Sequence, residues 1–200
     1  MKNELKCFTG KCDKKVRLFI VDKQLSVNPL LCDIGNLRKL FAFFQYETPN
    51  TSSYLCSHLS NEYHDFVFDE IKRSFKTGII DIAASNTTST EELEKLNLLG
   101  DNLCSYCKRL FCKRKPSRNG VKETDLSCLL RHIRNSLAHG RVFVIHIGNH
   151  ISVMFEDFDP RNKGNKNEIS ARIICTQADL KKWKNHIESA VEREKAEGHD

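Results

Sequence analysis

The sequence has no apolar segment long enough to cross a membrane. A transmembrane helix needs roughly 20 consecutive apolar residues, and no run in this chain approaches that length. The N-terminus, MKNELKCFTGKC, also lacks the apolar segment of a secretory signal. We therefore expect a protein that stays in the cytoplasm and has no membrane partner.

Two further absences narrow the range of functions. The sequence contains no Gly-rich loop of the kind that cradles phosphates, so the usual sign of a nucleotide-binding loop is missing. No segment repeats along the chain, which argues against a repeat architecture. Evidence on the fold and the function must therefore come from the residue patterns of individual helices and strands.

The nine cysteines do not indicate a disulfide framework. Their number is odd, and the cytoplasm keeps thiols reduced. Cys104, Cys107 and Cys112, together with Cys7 and Cys12, offer thiolates for a zinc ion. Cys104 and Cys107, however, follow the apolar pattern of a predicted helix, and a buried free cysteine behaves as a small hydrophobic residue. We favour core packing over zinc and expect neither a metal nor another cofactor.

The composition is that of a chain with a packed core. Hydrophobic residues make up 40% and charged residues 29% of the 200 residues, which is ordinary for a globular protein. The length suits one domain, residues 1–200. A net charge of +6 and a pI near 8.8 permit a polyanionic partner. They do not identify that partner, because many unrelated proteins are mildly basic.

Apolar residues at helical spacing predict a mainly α-helical protein. An N-terminal extension, residues 1–27, is basic at first and then apolar, and its pattern fits either a strand or a short buried helix. Residues 28–140 are predicted to form a bundle of about four helices. The predicted helices run from Asn28-Pro29 to about Tyr46, from Ser52 or Ser53 to about Phe75, from near Gly100 to Phe111, and from about Asp125 to about Ala138.

After Gly140 the spacing of apolar residues changes from that of a helix to that of a strand. Two such segments flank a Gly-Asn pair, which is typical of a β-hairpin, and a third follows a polar loop. A small three-stranded antiparallel sheet, residues 141–175, is therefore predicted between two helices. The capping pair Thr176 and Asp179 predicts the last helix at 176–196. The predicted strands are residues 141–147, 151–155 and 170–175.

Several polar segments receive no firm function. The most basic stretch, KRKPSRNG at residues 113–120, is either a solvated linker or an arm that touches the RNA backbone. His132 is interpreted as a surface residue, and the other scattered histidines lack a metal-binding spacing. Glu156, Asp157 and Asp159 are interpreted as ordinary charges of the loop after the hairpin.

The segment ETDLSCLLRHIRNSLAHG, residues 123–140, has a clear amphipathic pattern. Thr124 can cap its start, and Gly140 can adopt the left-handed conformation that ends it. An apolar stripe is opposed by a cationic face that spans about 140° at roughly 100° per residue. Small Ala138 lies within that face, so another helix can approach closely. The stripe contains Leu126, Leu129, Leu130, Ile133 and Leu137, and the cationic face contains Arg131, Arg134, Asn135 and His139.

The spacing alone fits an amphipathic helix with a purely structural role equally well. The motif on its polar face, however, resembles that of a known family. The residues from Arg134 to His139, RNSLAH, resemble the R-N-x3-H signature of HEPN domains, a form of the R-x4-6-H motif. HEPN domains are small helical proteins, many of which are RNases, toxins or phage-defence effectors. Residues 131–141 also resemble prokaryotic HEPN-like proteins in which this signature helix leads into a short sheet. The resemblance covers residues 28–190 loosely and 126–190 more closely, and it implies an up-and-down helical bundle.

The resemblance implies an endoribonuclease that needs no metal. Such cleavage requires deprotonation of a ribose 2′-hydroxyl, stabilisation of a charged transition state and protonation of the leaving 5′-oxygen. His139 is the implied proton-transfer residue, Arg134 the phosphate clamp and Asn135 their helper. One helix supplies a single Arg–His pair, whereas the homodimer implied by the family supplies an acid and a base together. The expected products are a 2′,3′-cyclic phosphate and a 5′-hydroxyl.

The remaining expectations concern substrate contacts and partners. Arg131 and Arg141 are predicted to bind the RNA backbone, although solvent exposure explains them equally well. Toxins with a nucleotidyltransferase antitoxin often carry tyrosine where this chain has Arg141, so regulation through such a tyrosine is not expected. We hypothesise a toxin or phage-defence effector, with an antitoxin or regulatory protein as a further partner. The alternative is a catalytically inactive HEPN module that binds RNA or a regulatory partner.

Overall fold

The computed structural model describes residues 18–21, 26–48, 59–76, 78–117, 119–158 and 168–197. A short 3-10 helix, Pro29–Leu31, precedes the first α-helix. The α-helices are α1 (Leu37–Tyr46), α2 (Asn61–Ser74), α3 (Ser89–Lys95), α4 (Asp125–Ala138) and α5 (Gln177–Ala196). The strands are β1 (Leu18–Ile20), β2 (Ile79–Ala83), β3 (Asn102–Cys104), β4 (Arg109–Lys113), β5 (Val142–Ile147), β6 (His150–Phe158) and β7 (Ile169–Thr176).

A five-stranded mixed sheet lies at the centre of the described structure, in the order β2-β4-β7-β6-β5. β2 and β4 are parallel, whereas the other neighbouring strands are antiparallel. Because parallel strands need a crossover connection, the segment between β2 and β4 contains α3 and β3. β3 pairs with β1 in a separate two-stranded antiparallel sheet.

The large sheet is covered on both faces, because successive strand residues point to opposite sides. One face packs in a core with α1, α2, α4 and α5, and the other face packs in a core with α3, β1 and β3. The first core contains Phe41, Ile71, Leu129, Phe155 and Trp183, and the second contains Phe19, Leu93, Leu103, Met154 and Ile174.

The prediction of a mainly α bundle with a three-stranded sheet is wrong. Residues 79–83 form β2, and residues predicted as a helix between Gly100 and Phe111 form β3 and most of β4. β4 misled the prediction because Leu110 and Cys112 face one core and Phe111 faces the other. A strand buried on both faces has no alternation of apolar and polar residues, so its periodicity does not separate it from a buried helix.

The predictions for the C-terminal half are confirmed at the level of elements. β5 and β6 form the predicted hairpin, β7 is the predicted third strand, and Thr176 and Asp179 form a capping box at the start of α5. β6, however, continues to Phe158, three residues beyond its predicted end at Phe155.

The predictions for the N-terminal half are confirmed in part. The helix predicted from Asn28 is divided, because α1 begins at Leu37 after the short 3-10 helix. α2 begins at Asn61, and the predicted start at Ser52 or Ser53 lies outside the described residues. Residues 18–20 of the N-terminal extension form a strand. Among the described residues, no helix combines the length and the apolar character needed to span a membrane.

Candidate functional site

The signature helix, α4, forms where the sequence predicts it. The Thr124 side chain accepts a hydrogen bond from the Ser127 amide at 3.2 Å, which caps the first turn. The predicted apolar stripe is buried against α1, α2, β4 and β6. Its five members, Leu126, Leu129, Leu130, Ile133 and Leu137, are each 3% exposed or less.

The C-terminal end of α4 is fixed by a Schellman motif. Gly140 adopts a left-handed conformation with φ of 65°. The amide of Gly140 donates to the Leu137 carbonyl at 3.2 Å, and the amide of Arg141 donates to the Ser136 carbonyl at 2.8 Å. This ending turns the chain sharply into β5 and leaves Ala138 and His139 exposed at the last turn.

Arg134 and His139 occupy the two sides of the open face of α4. Arg134 is half-buried and makes contacts of its own, whereas His139 is exposed at the C-cap position. Because the two residues are five positions apart, their side chains leave the helix axis about 140° apart. The structure therefore places both on the accessible side of one helix but directs them apart.

Arg131, predicted to bind RNA, is held by Glu123. Its guanidinium donates to both carboxylate oxygens, at 2.7 and 2.8 Å, and to the Lys113 carbonyl at 2.9 Å. Burial raises the pKa of Glu123, but the hydrogen bonds from Arg131 and the Lys115 amide outweigh this effect and lower it. The Arg131 side chain is only 11% exposed, so most of its donors are engaged within the chain.

Asn135 and His132 both donate to the same oxygen of Asp157. Asn135 Nδ2 lies 3.1 Å and His132 Nδ1 lies 2.7 Å from Asp157 Oδ2. The interpretation of His132 as a surface residue is wrong, because it is 1% exposed. Asp157 lies in β6 and is 4% exposed, so its assignment to a loop is also wrong. Asp159 lies outside the described residues.

The partners of His132 indicate a charged imidazolium. Its Nε2 lies 2.8 Å from the Lys113 carbonyl, which can only accept, so Nε2 must carry a proton. Its Nδ1 faces the Asp157 carboxylate. Burial lowers the pKa of His132, but the hydrogen bonds to Asp157 and Cys128 outweigh it and raise the pKa above the ordinary value. The local sequence gave no sign of this pair, because Asp157 is distant in the chain.

Two buried thiols complete this cluster. A hydrogen bond from Cys112, together with one from His132, outweighs the effect of burial and lowers the pKa of Cys128 to about 6. Burial raises the pKa of Cys112 well above its ordinary value. Arg131 Nη2 lies 3.7 Å from Cys128 Sγ, which adds a positive charge beside the thiolate.

The cysteines considered for zinc do not converge in the described part of the chain. Cys104, Cys107 and Cys112 are buried free thiols. Within the described ranges, no group of three or more potential ligands could hold a metal ion. Cys7 and Cys12 lie outside those ranges.

Arg141, the second predicted RNA contact, pairs with Glu156. Glu156 is fully buried in β6 and also accepts a 2.6 Å hydrogen bond from Arg172. The guanidinium of Arg141 lies 4.2 Å from the centre of the Phe158 ring. Unlike Arg131, Arg141 keeps 37% of its side chain exposed, so part of its charge faces outward. The sequence interpretation of Glu156 as a loop residue is wrong.

The start of the basic stretch is paired with carboxylates. Lys113 forms an ion pair with Glu168 at 3.1 Å, and Arg114 pairs with Asp125 in the first turn of α4. These contacts tie the segment to α4 and to the residue before β7. They reduce the charge that the segment presents to a polyanion, and they are compatible with both a linker and an arm that touches RNA.

A groove with both polar and apolar surface adjoins the C-terminal end of α4. It is lined by segment 26–30, Gln45, Leu137 and Ala138. Leu30, in the lining, is 52% exposed, and Leu31 and Tyr46, which follow lining residues in the sequence, are 72% and 51% exposed. Ala138, also in the lining, directly precedes His139.

The comparison with protein families decides the assignment. The profile of the family described as HEPN pEK499 p136 matches residues 50–196, a range that includes α4 and the whole five-stranded sheet. The chain belongs to the HEPN pEK499 p136 family. The resemblance carried by Arg134 and His139 is thereby confirmed at the level of the family. Comparisons with curated proteins and with solved structures found no match. In this HEPN domain, a sheet covered on both faces accompanies the helices.

Proposed function

We propose that this HEPN domain is a metal-independent endoribonuclease that acts at a site shared by two copies of the chain. His139 transfers protons, Arg134 binds the scissile phosphate, and Asn135 assists them. The products are a 2′,3′-cyclic phosphate and a 5′-hydroxyl. We also propose a role as a toxin or phage-defence effector, with an antitoxin or regulatory protein as a partner.

The observation that carries this proposal is the position of His139. It lies exposed at the end of the signature helix, with Arg134 on the same open face. An exposed imidazole can exchange protons with a bound substrate near neutral pH, and a guanidinium suits the developing charge on the phosphate. The buried His132 cannot take this role, because its ring is enclosed by Asp157 and the Lys113 carbonyl.

The divergence of Arg134 and His139 supports a composite site. Because their side chains leave one helix about 140° apart, a single copy is poorly arranged to grip and protonate the same phosphodiester. Two antiparallel copies of α4 can bring Arg134 of one copy towards His139 of the other. Small, exposed Ala138 permits close approach, and the groove beside it, with the exposed side chains of Leu30 and Leu31, supplies surface that a second copy can cover.

We also propose that Arg131 and Arg141 contact the RNA backbone, but we expect their contributions to RNA binding to differ. Arg131 is 11% exposed and bound to Glu123 through two hydrogen bonds. Arg141 is 37% exposed beside the end of α4. We therefore expect Arg141 to contribute more to RNA binding than Arg131.

Cleavage of RNA in EDTA tests the proposal. Purified protein is incubated with single-stranded and structured RNA, beside His139→Ala and Arg134→Ala. Loss of the proton-transfer residue is expected to reduce the rate by about 10²- to 10⁴-fold. The matched controls, His146→Ala and Arg38→Ala, remove exposed residues outside the site and should cleave like the wild type. Equal background in all samples contradicts the proposal.

The same assay decides the alternative of a catalytically inactive RNA-binding module. One observation favours that alternative: Arg131 and Asn135 already donate to carboxylates of their own chain, which leaves fewer groups for a substrate. An inactive module binds RNA without cleaving it. RNA binding by the wild type, with no cleavage in any buffer, would select this function.

A further inference from the structure

We propose that Asp157 is a positioning residue that fixes the Asn135 amide with its carbonyl oxygen outward, so that Asn135 accepts a hydrogen bond from a ribose 2′-hydroxyl. The inference rests on the proposed function, since it assigns Asn135 a specific part of the RNA. In place of the general role of a helper, Asn135 receives one specific contact, a hydrogen bond from the ribose 2′-hydroxyl to its carbonyl oxygen. It also predicts how the site distinguishes RNA from other phosphodiester polymers.

The hydrogen bond between Asn135 and Asp157 sets the orientation of the amide. An ionised carboxylate can only accept, so the Asn135 atom at 3.1 Å from Asp157 Oδ2 must be the nitrogen. The opposite orientation would place two acceptor oxygens together, which is repulsive. The carbonyl oxygen, Oδ1, is therefore the other end of the amide.

The Asn135 carbonyl oxygen is available to a ligand. No group in the described ranges donates a hydrogen bond to it, and it is not among the buried polar atoms without a partner. Asn135 is half-buried, and on the helix it lies between Arg134 and His139 on the polar face of α4. We therefore infer that a ligand on that face can reach this oxygen. A ligand that binds there must supply a donor.

The chemistry of RNA leaves one obvious donor near a scissile phosphate. Phosphate oxygens and the bridging oxygens accept hydrogen bonds, whereas the ribose 2′-hydroxyl donates and accepts. A carbonyl oxygen that faces outward therefore cannot form a hydrogen bond with a phosphate oxygen. It can accept one from the 2′-hydroxyl that attacks the phosphate. Arg134, which can only donate, is complementary to the phosphate itself.

Asp157 is itself held in place, which makes it suitable for this task. His132 donates to the same oxygen at 2.7 Å, and the Phe158 amide donates to the other oxygen at 3.0 Å. The pairing of β6 with β7 is irregular between Asp157 and Phe158, and such irregularities redirect side chains near functional sites. The carboxylate therefore cannot rotate freely to release the amide.

Oligonucleotide binding tests the inference without requiring cleavage. The His139→Ala protein is titrated with an RNA oligonucleotide and with the same sequence carrying 2′-fluoro groups, which keep the sugar pucker but cannot donate. We expect about three- to tenfold tighter binding of the RNA, the value of one neutral hydrogen bond. Adding Asn135→Leu or Asp157→Leu, which removes the acceptor for the Asn135 amide, should reduce the ratio of the two Kd values to about one.

The matched control is Asp179→Leu, which removes another buried carboxylate, 3% exposed, that caps α5. It should destabilise the fold while the Kd ratio stays that of His139→Ala. Combining Asn135→Leu with Asp157→Leu should change the ratio no further than either variant alone, because both act on the same hydrogen bond. An equal Kd ratio with and without Asp157→Leu overturns the inference.

The two proposals can fail separately. If the wild type cleaves RNA but the Kd ratio is insensitive to Asn135 and Asp157, the nuclease stands and the positioning role falls. If the ratio depends on both residues but the wild type does not cleave, the positioning role stands without the nuclease. Absence of any preference for the 2′-hydroxyl in His139→Ala overturns the positioning role directly.

Discussion

His132 and Asn135 lie three residues apart on α4 and share one acceptor, Asp157 Oδ2. This arrangement places a buried positive imidazolium directly beneath the polar face that carries Arg134. The carboxylate compensates that charge and at the same time holds Asn135. A single residue of β6 therefore links the interior of the protein to the proposed site, which a reading of α4 alone does not show.

The first prediction concerns the dependence of stability on the charge of His132. Burial opposes the charge, but Asp157 and Cys128 raise the pKa of His132 above its ordinary value of 6.5. The folded state thus binds this proton more tightly than the unfolded state. The resulting stabilisation is complete below pH 6.5 and is lost as the pH rises through the raised pKa.

Cys128 has the opposite dependence, so the wild type is compared with a variant that lacks only the His132 charge. The pKa of Cys128 is lowered to about 6 from an ordinary value of 9.0, so its contribution is present at high pH and is lost as the pH falls through 6. Cys128 is kept in both proteins, because it helps to raise the pKa of His132. The test is urea unfolding of the wild type and of His132→Gln over a range of pH, and the free energy of unfolding of the wild type relative to His132→Gln should fall above pH 6.5. An identical slope in both proteins contradicts the prediction.

The helices and strands differ in how well their type and bounds could be predicted from the sequence. α4 could be predicted because its apolar stripe, its N-cap Thr124 and its terminal Gly140 are all local signals. The cap of α5 is local in the same way. β4 could not be predicted, because it is buried on both faces and its apolar residues do not alternate. The periodicity of apolar residues therefore did not identify β4 as a strand of the central sheet.

The candidate site likewise has a part that could be predicted from the sequence and a part that could not. Arg134, Asn135 and His139 are recognisable because the motif lies within one helix. Their environment depends on Glu123, Asp157 and the Lys113 carbonyl, which reach α4 through the fold. No spacing rule relates β6 to α4, so the charge partners of the polar face could not be derived from the sequence.

The second prediction is that Gly140→Ala destabilises the end of α4. A Cβ atom at this position meets nothing within 4 Å, so the cost is conformational. With φ at 65°, alanine is expected to cost about 1–2 kcal/mol. Gly140→Asn should cost less, because asparagine tolerates the left-handed region. Urea unfolding measures both changes, and a larger loss for asparagine than for alanine would refute this explanation.

At the scale of the whole molecule, hydrogen bonds from two buried arginines connect the sheet to the loop that follows α3. Arg172 donates from β7 to the carbonyls of Leu98 and Gly100, both at 2.6 Å, and Arg109 donates from β4 to the carbonyl of Leu96 at 2.8 Å. These contacts satisfy the backbone of the loop that follows α3. Glu156 compensates Arg172 and extends the network to Arg141 at the end of α4.

The third prediction is that Glu156→Gln destabilises the protein strongly. The change leaves Arg172, which is 3% exposed, without a carboxylate. Breaking such a buried pair is expected to cost about 3–5 kcal/mol. The control is Glu188→Gln, whose side chain is 44% exposed in an ion pair with Lys184, and its effect should stay within about 0.5 kcal/mol. Similar losses for both variants in urea unfolding contradict the assigned network.

The fourth prediction concerns the sharing of the site between two copies. Wild-type protein is mixed with increasing His139→Ala and allowed to exchange subunits before RNA is added. In a composite site, mixed dimers lack one imidazole, so about a ninefold excess of the variant should reduce wild-type activity about tenfold. His146→Ala is the control, because it alters an exposed histidine of β5 and should not inhibit. Activity that depends only on the amount of wild type would mean that each copy acts alone.

The most direct test of the nuclease proposal is the chemistry of the cut ends. A defined RNA oligonucleotide is incubated with the protein in excess EDTA, and the products are identified by mass spectrometry. We predict fragments that end in a 2′,3′-cyclic phosphate and begin with a 5′-hydroxyl, and no fragments from Arg134→Ala or His139→Ala. Fragments with a 3′-hydroxyl and a 5′-phosphate, or an intact oligonucleotide after incubation with the wild type, would contradict the account.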